Sequence, residues 1–90
     1  MRVELLGIPR ERAGVAALEL HALTLGQLLS ALLVRFPSLA DVMTAEQLRP
    51  SIVANLNGDR FVRDPGTPLK EDDCILILSA DADKFDKKLV

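Results

Sequence analysis

The 90-residue sequence holds one cysteine, one histidine, three phenylalanines and neither tryptophan nor tyrosine. The lone cysteine, Cys74, excludes an intramolecular disulfide, and with the lone histidine, His21, it leaves too few soft ligands for a zinc centre. No metal or cofactor is therefore expected. An excess of one charge is missing too: 11 Lys and Arg against 13 Asp and Glu leave a net charge of −2, whereas a nucleic-acid binder carries surplus cations to neutralise phosphates. No run approaches the roughly 18 apolar residues of a membrane span. Met1-Arg2-Val3-Glu4 lacks the charged-then-apolar layout of a secretory signal. These absences predict a cytoplasmic protein that has neither nucleic acid nor membrane as a partner.

What is present is aliphatic. Hydrophobic residues make up 49% of the chain and 17 residues are leucine, so the core must be built from branched side chains. A chain of this length is one domain. It can bury roughly 60–65% of its unfolded surface, enough to fold alone but with little surplus for a deep catalytic pocket.

Hydrophobic periodicity then sets out the elements. Val3, Leu5 and Gly7 alternate with Glu4, Leu6 and Ile8, which predicts a strand over residues 2–8 that Pro9 ends. Residues 9–14, rich in charge with a proline and a glycine, predict an exposed connection to a second strand over 15–22. Leu25, Leu28, Leu29, Leu32, Leu33 and Phe36 fall on one helical stripe, so a helix is expected over 25–36. Thr24 and Gln27 form a capping box at its start and Pro37 stops it. Leu39, Val42, Met43 and Leu48 would line a short second helix before Pro50. Ile52–Leu56 reads as a strand, Asn57-Gly58 as a type I′ turn and Arg60–Arg63 as the returning strand. After the turn-rich stretch 64–69, Cys74–Leu78 is apolar on both faces and predicts a central strand, or one whose outer face meets a partner. The polar residues 79–90 read as a tail.

Strand, strand, helix, short helix and three further strands make an α+β chain in which one main helix covers one face of a mixed sheet of four to five strands. That is the β-grasp arrangement, with the other sheet face left open. Val3, Leu5, Ile75 and Ile77 would face the helix, leaving Leu6, Ile8, Leu76 and Leu78 on the open side with Arg2 and Glu4. Such a patch marks an interaction surface, unless the short helix or the tail covers it through Phe85 and Leu89.

The remaining reactive residues have plain readings. Cys74, at the start of an apolar strand, reads as a packed side chain rather than a persulfide carrier or reactive thiol. His21 reads as a surface residue, and Glu71-Asp72-Asp73 as a solvated turn rather than a cation site. No nucleophile–base pair is present, so the chain is not expected to be an enzyme.

Several stretches, in order, carry a resemblance: Arg2-Val3-Glu4-Leu5-Leu6, Arg10-Glu11-Arg12-Ala13-Gly14, Leu23-Thr24-Leu25, Arg35-Phe36-Pro37, Ala54-Asn55-Leu56-Asn57-Gly58, Asp64 to Leu69, and Glu71-Asp72-Asp73-Cys74-Ile75. Across residues 2–82 the chain resembles the ubiquitin-like sulfur carriers of the MoaD/ThiS family, and the molybdopterin synthase small-subunit type above the thiamine type. The resemblance implies a domain over 1–82 and a tail over 83–90. It implies protein partners, either an activating adenylyltransferase or a subunit of a larger synthase or complex. It also implies that the open sheet face docks them near Leu6, Phe61 and Leu78. Carriers of this family end in Gly-Gly, whose carboxylate is activated and converted to a thiocarboxylate for cofactor synthesis. The glycines suit a narrow channel because they lack Cβ atoms. Here Asp83 and Lys84 occupy those positions, and an unpaired charge in a closed channel costs on the order of several kcal/mol. Two readings are open: a relative that lost conjugation and keeps the fold as an interaction module, or a chain whose last residues replace native glycines.

Overall fold

In the computed structural model, which describes residues 1–80, alternation along the strands sorts side chains between two faces. The strands are β1 (Arg2–Leu6), β2 (Ala17–Glu19), β3 (Ile52–Leu56), β4 (Arg60–Val62) and β5 (Cys74–Ser79). They form one mixed sheet in the order β2-β1-β5-β3-β4. β1 and β5 run parallel at the centre, and the other three pairings are antiparallel. Val3, Leu5, Ala54, Ile75 and Ile77 are all buried on one face, as their alternation requires. β5 is central, which accounts for its apolar character on both sides.

Among the described residues the α-helices are α1 (Ile8–Ala13) and α2 (Leu25–Arg35). α2 carries the stripe that its spacing predicts, with Leu25, Leu28, Leu29 and Leu32 fully buried and Leu33 and Phe36 packed partly against the core. Its first amides are all satisfied. Leu25 N–H donates to the Thr67 carbonyl at 3.0 Å, Gly26 N–H to Pro65 at 2.9 Å and Leu28 N–H to Thr24 at 3.0 Å. Gln27 N–H donates to Thr24 Oγ1 at 3.2 Å. The reciprocal half of the capping box is shifted by one residue, since Gln27 Oε1 accepts from Leu23 N–H at 2.9 Å rather than from Thr24. At Gly26 a Cβ would lie 3.1 Å from Pro65 Cβ, so the residues 65–67 reach the helix closely because no side chain intervenes.

α1 corrects the expectation of a strand to residue 8 and an irregular connection over 9–14. Pro9 lies in the first turn of the helix, where its missing N–H costs nothing, and Gly14 closes it at φ 79° with its N–H on the Arg10 carbonyl. Ile8 accordingly does not join Leu6 on the open face; it starts α1 and packs against the core. β2 is also shorter than the expected 15–22. The short second helix proves to be a 3-10 helix over Pro37–Asp41, and Leu39, Val42, Met43 and Leu48 are all buried as predicted. It packs beside α2 and α1. Arg12 Nε donates to Asp41 Oδ2 at 2.7 Å and the Ser38 hydroxyl donates to the Arg12 carbonyl, which fastens α1 to this helix. That pairing with Asp41 pushes the Arg12 guanidinium pKa further up.

At the other edge, Asn57 and Gly58 both adopt positive φ, 59° and 69°, as a type I′ turn demands. The expected last residue of β4, Arg63, lies just beyond the strand and turns its guanidinium onto the Ile52, Leu48 and Arg49 carbonyls at 2.6, 3.1 and 3.0 Å. Ser79, expected in the tail, ends β5 instead: it is buried, and its Oγ accepts from Ile8 N–H at 3.4 Å. Ala80 N–H donates to the Ser51 carbonyl at 2.7 Å. The expected boundary at residue 82, together with Asp83, Lys84, Phe85 and Leu89, lies outside the described residues.

Candidate protein-docking face

The alternate residues of the same strands build the opposite face. In register, Leu6 stands beside Leu78 and Leu78 beside Val53, making one apolar row across β1, β5 and β3. The next row runs Glu4, Leu76, Asn55 and Phe61 across β1, β5, β3 and β4. Leu6 and Phe61 are 38% and 67% exposed, large values for apolar residues, while Leu76, Leu78 and Val53 are half-buried by their neighbours in the sheet. Leu6 and Leu78 are thus neighbours across the β1–β5 ladder, on the face to which alternation assigns them. Phe61 shares the face but stands two strands from Leu78, with Asn55 and Leu76 joining it to the row. Val53 and Asn55 escape a purely sequence-based selection because β3 alternates within a short run whose buried members, Ile52, Ala54 and Leu56, dominate the pattern. The 3-10 helix lies on the α2 side and does not cover this face.

One corner of the face is polar. Arg2 Nε lies 3.4 Å from Glu4 Oε2, and Cys74 Sγ donates to Glu4 Oε1 at 3.6 Å. Burial raises the Cys74 pKa, and the nearby Glu4 carboxylate raises it further by its charge and by its hydrogen bond. The thiol is therefore held protonated, the opposite of what a nucleophile needs. The main chain beneath it is anchored by Asn57, whose Oδ1 accepts from Cys74 N–H at 2.8 Å while its Nδ2 donates to Asp73 Oδ1 at 3.0 Å. That bond from Asn57, with a second from Lys70 N–H, holds the Asp73 pKa below the ordinary value. Asp73 is thus a turn-fixing residue, and no group of three or more potential metal ligands gathers among the described residues. His21 lies at the surface with its Nδ1 4.0 Å from Glu71 Oε1. Among the described residues no helix is long and apolar enough to cross a membrane.

No family model matches the sequence, and no curated protein matches it. Solved structures do. SAMP1 from Haloferax volcanii aligns with a TM-score of 0.75 at 23% identity, over 88% of this chain and 92% of that one. The small archaeal modifier protein 1 of Methanosarcina acetivorans aligns with a TM-score of 0.72 at 27% identity, over 87% and 89%. A chain of the BexX/CysO complex of Amycolatopsis orientalis aligns with a TM-score of 0.74 at 23% identity, over 88% and 93%. The fold is the ubiquitin-like β-grasp, with the five-stranded mixed sheet that these neighbours share.

Proposed function

We propose that the chain is a ubiquitin-like carrier or modifier protein of the MoaD/ThiS kind, which works by docking protein partners on its open sheet face and presenting the segment that leaves β5. The observation that carries this reading is the row Leu6, Leu78 and Val53, extended by Leu76 and Phe61, beside the point where the chain leaves the sheet at Ala80. The resemblance of the fold to small archaeal modifier proteins and to a chain solved in complex with a partner supports a protein-binding role. An activating adenylyltransferase is the first partner this reading names, and a synthase subunit, as in molybdopterin assembly, is the second. In the first, carboxylate oxygen attacks the α-phosphate of ATP and pyrophosphate leaves; sulfide from the donor then attacks the acyl carbon and AMP leaves, which gives the thiocarboxylate.

The test incubates the chain, and a version ending in Gly-Gly after Ala82, with a cognate activating enzyme, ATP and a sulfur donor, and tracks intact mass. The carrier reading expects the +16 Da exchange of oxygen for sulfur in the Gly-Gly version at least; a Gly-Gly version that gains no mass overturns it. A second reading, a non-conjugating module within a larger complex, is favoured by Asp83 and Lys84 at the Gly-Gly positions. It expects stable binding that survives truncation after Ala82 and falls at least about a hundredfold in Leu78→Glu, since a carboxylate in a desolvated apolar contact lacks a partner.

A further inference from the structure

The sheet ends on β2, and the register there leaves backbone groups unpaired. The Met1 amine donates to the Leu20 carbonyl at 2.8 Å, Leu20 N–H returns a bond to the Met1 carbonyl at 3.0 Å, and Leu5 N–H donates to the Ala16 carbonyl at 2.8 Å. Between these pairs lie Arg2–Glu19, Val3–Leu18 and Glu4–Ala17. Bonded and non-bonded pairs alternate along an antiparallel ladder, so Val3–Leu18 is bonded, and the N–H and C=O groups of Ala17 and Glu19 point away from β1. No further strand covers them among the described residues. The residues of this edge that lie on the helix side are Ala16, Leu18 and Leu20, all apolar, the first exposed and the others half-buried.

We propose that β2 pairs antiparallel with β2 of a second copy of this chain about a two-fold axis at Leu18, joining two sheets into one. The edge selects this register. With the axis at Leu18, Ala17 faces the second copy's Glu19, and all the outward N–H and C=O groups of both residues find partners. An axis at Glu19 sets two carboxylates against each other, and like charges directly opposite destabilise a strand pair. An axis at Ala17 would pair Glu19 with Val15, which lies beyond the Ala16–Leu20 stretch bonded to β1. At the Leu18 axis the two Leu18 side chains meet and Ala16 faces the second copy's Leu20, which extends the apolar layer between the two cores. The Glu19 carboxylate already sits 3.6 Å from the Met1 amine, a local countercharge. The far edge is guarded differently, with Arg60 opening the three-residue β4 and Pro65 soon after it, since a short edge strand, a charge and a proline all keep an edge from pairing. The pairing does not depend on the carrier reading, because it uses none of Leu6, Val53, Leu76, Leu78 or Phe61.

Sedimentation equilibrium of the full chain from about 10 µM to 1 mM tests it. So short a ladder predicts a dimer with a Kd on the order of 0.1–1 mM. Ala17→Lys, opposite the second copy's Glu19, tightens it a few-fold, and Ala17→Glu weakens it at least about tenfold. Ala17→Pro removes an outward N–H that makes no bond within the chain, and abolishes the dimer while circular dichroism stays native. A monomer throughout the range overturns the proposal, as does a dimer equally tight in all three variants, whose contact would lie elsewhere.

Discussion

The two faces of the sheet are made by the same five strands, yet folding explains one of them and not the other. On the α2 side Val3, Leu5, Ala54, Ile75 and Ile77 are sealed under the leucine stripe. On the other side Leu6 and Phe61 are exposed and Leu76, Leu78 and Val53 are half-buried. Burial of apolar surface is what stabilises a domain this small, so the first set is accounted for once the fold exists. The second set contributes far less to folding, and the proposed docking role is what gives its exposed apolar surface a use.

Substitutions that treat the faces separately can break that division. The largest effect is expected on the covered side, where Leu29→Ala leaves a cavity and lowers unfolding free energy by about 3 kcal/mol in urea titrations; a loss below about 1 kcal/mol would mean the packing there is loose. Next comes the edge where both faces end. Arg63→Met strips three carbonyls of their charged donor and should cost about 1–2 kcal/mol, with faster hydrogen exchange at the Ile52 amide as the local readout. On the open face, Leu78→Glu should shift stability by no more than about 1 kcal/mol while weakening partner binding strongly, and a large loss of stability would show that this face is also core.

The smallest effect concerns the polar corner. Burial and then Glu4 raise the Cys74 pKa, so the thiol stays protonated beyond its ordinary value of about 8.5. A raised folded-state pKa gives stability that is complete below the unfolded value and is lost as pH rises through the folded one. Iodoacetamide should therefore alkylate Cys74 several-fold more slowly at pH 8 in the folded chain than in urea, and Glu4→Gln should narrow the gap. Equal rates would remove the hydrogen-bonded thiol from the account.

Much of the fold was legible because its signals were local. Six apolar residues at helical spacing specify α2, Asn57-Gly58 specifies its turn, and the doubly apolar Cys74–Leu78 announces a central strand. The first helix was not legible because Pro9 reads equally as a strand terminator and as a helix first-turn residue, and only the Gly14 cap and the packing of Ile8 decide between them. The 3-10 helix hides for a related reason: Leu39, Val42 and Met43 bury themselves without completing a helical stripe. Within the site, alternation assigned Leu6 and Leu78 to one face, and only the β1–β5 register set them side by side. Val53 and Asn55 needed the β3–β5 register, and the reach of Arg63 to three carbonyls is a long-range contact that no spacing encodes.

The bond from Ala80 to Ser51, with the Ser79 staple to α1, fixes where the chain leaves the sheet. Every residue past that anchor adds at most about 3.3–3.6 Å to the reach of the departing chain. On the proposed carrier reading, a partner seated on the Leu6–Leu78–Val53 row would find the departing chain starting from this one fixed point. Under that reading, inserts of increasing length after Ala80 would add reach without touching the row, so the dependence of transfer on insert length would measure the distance from the row to the partner's reactive centre.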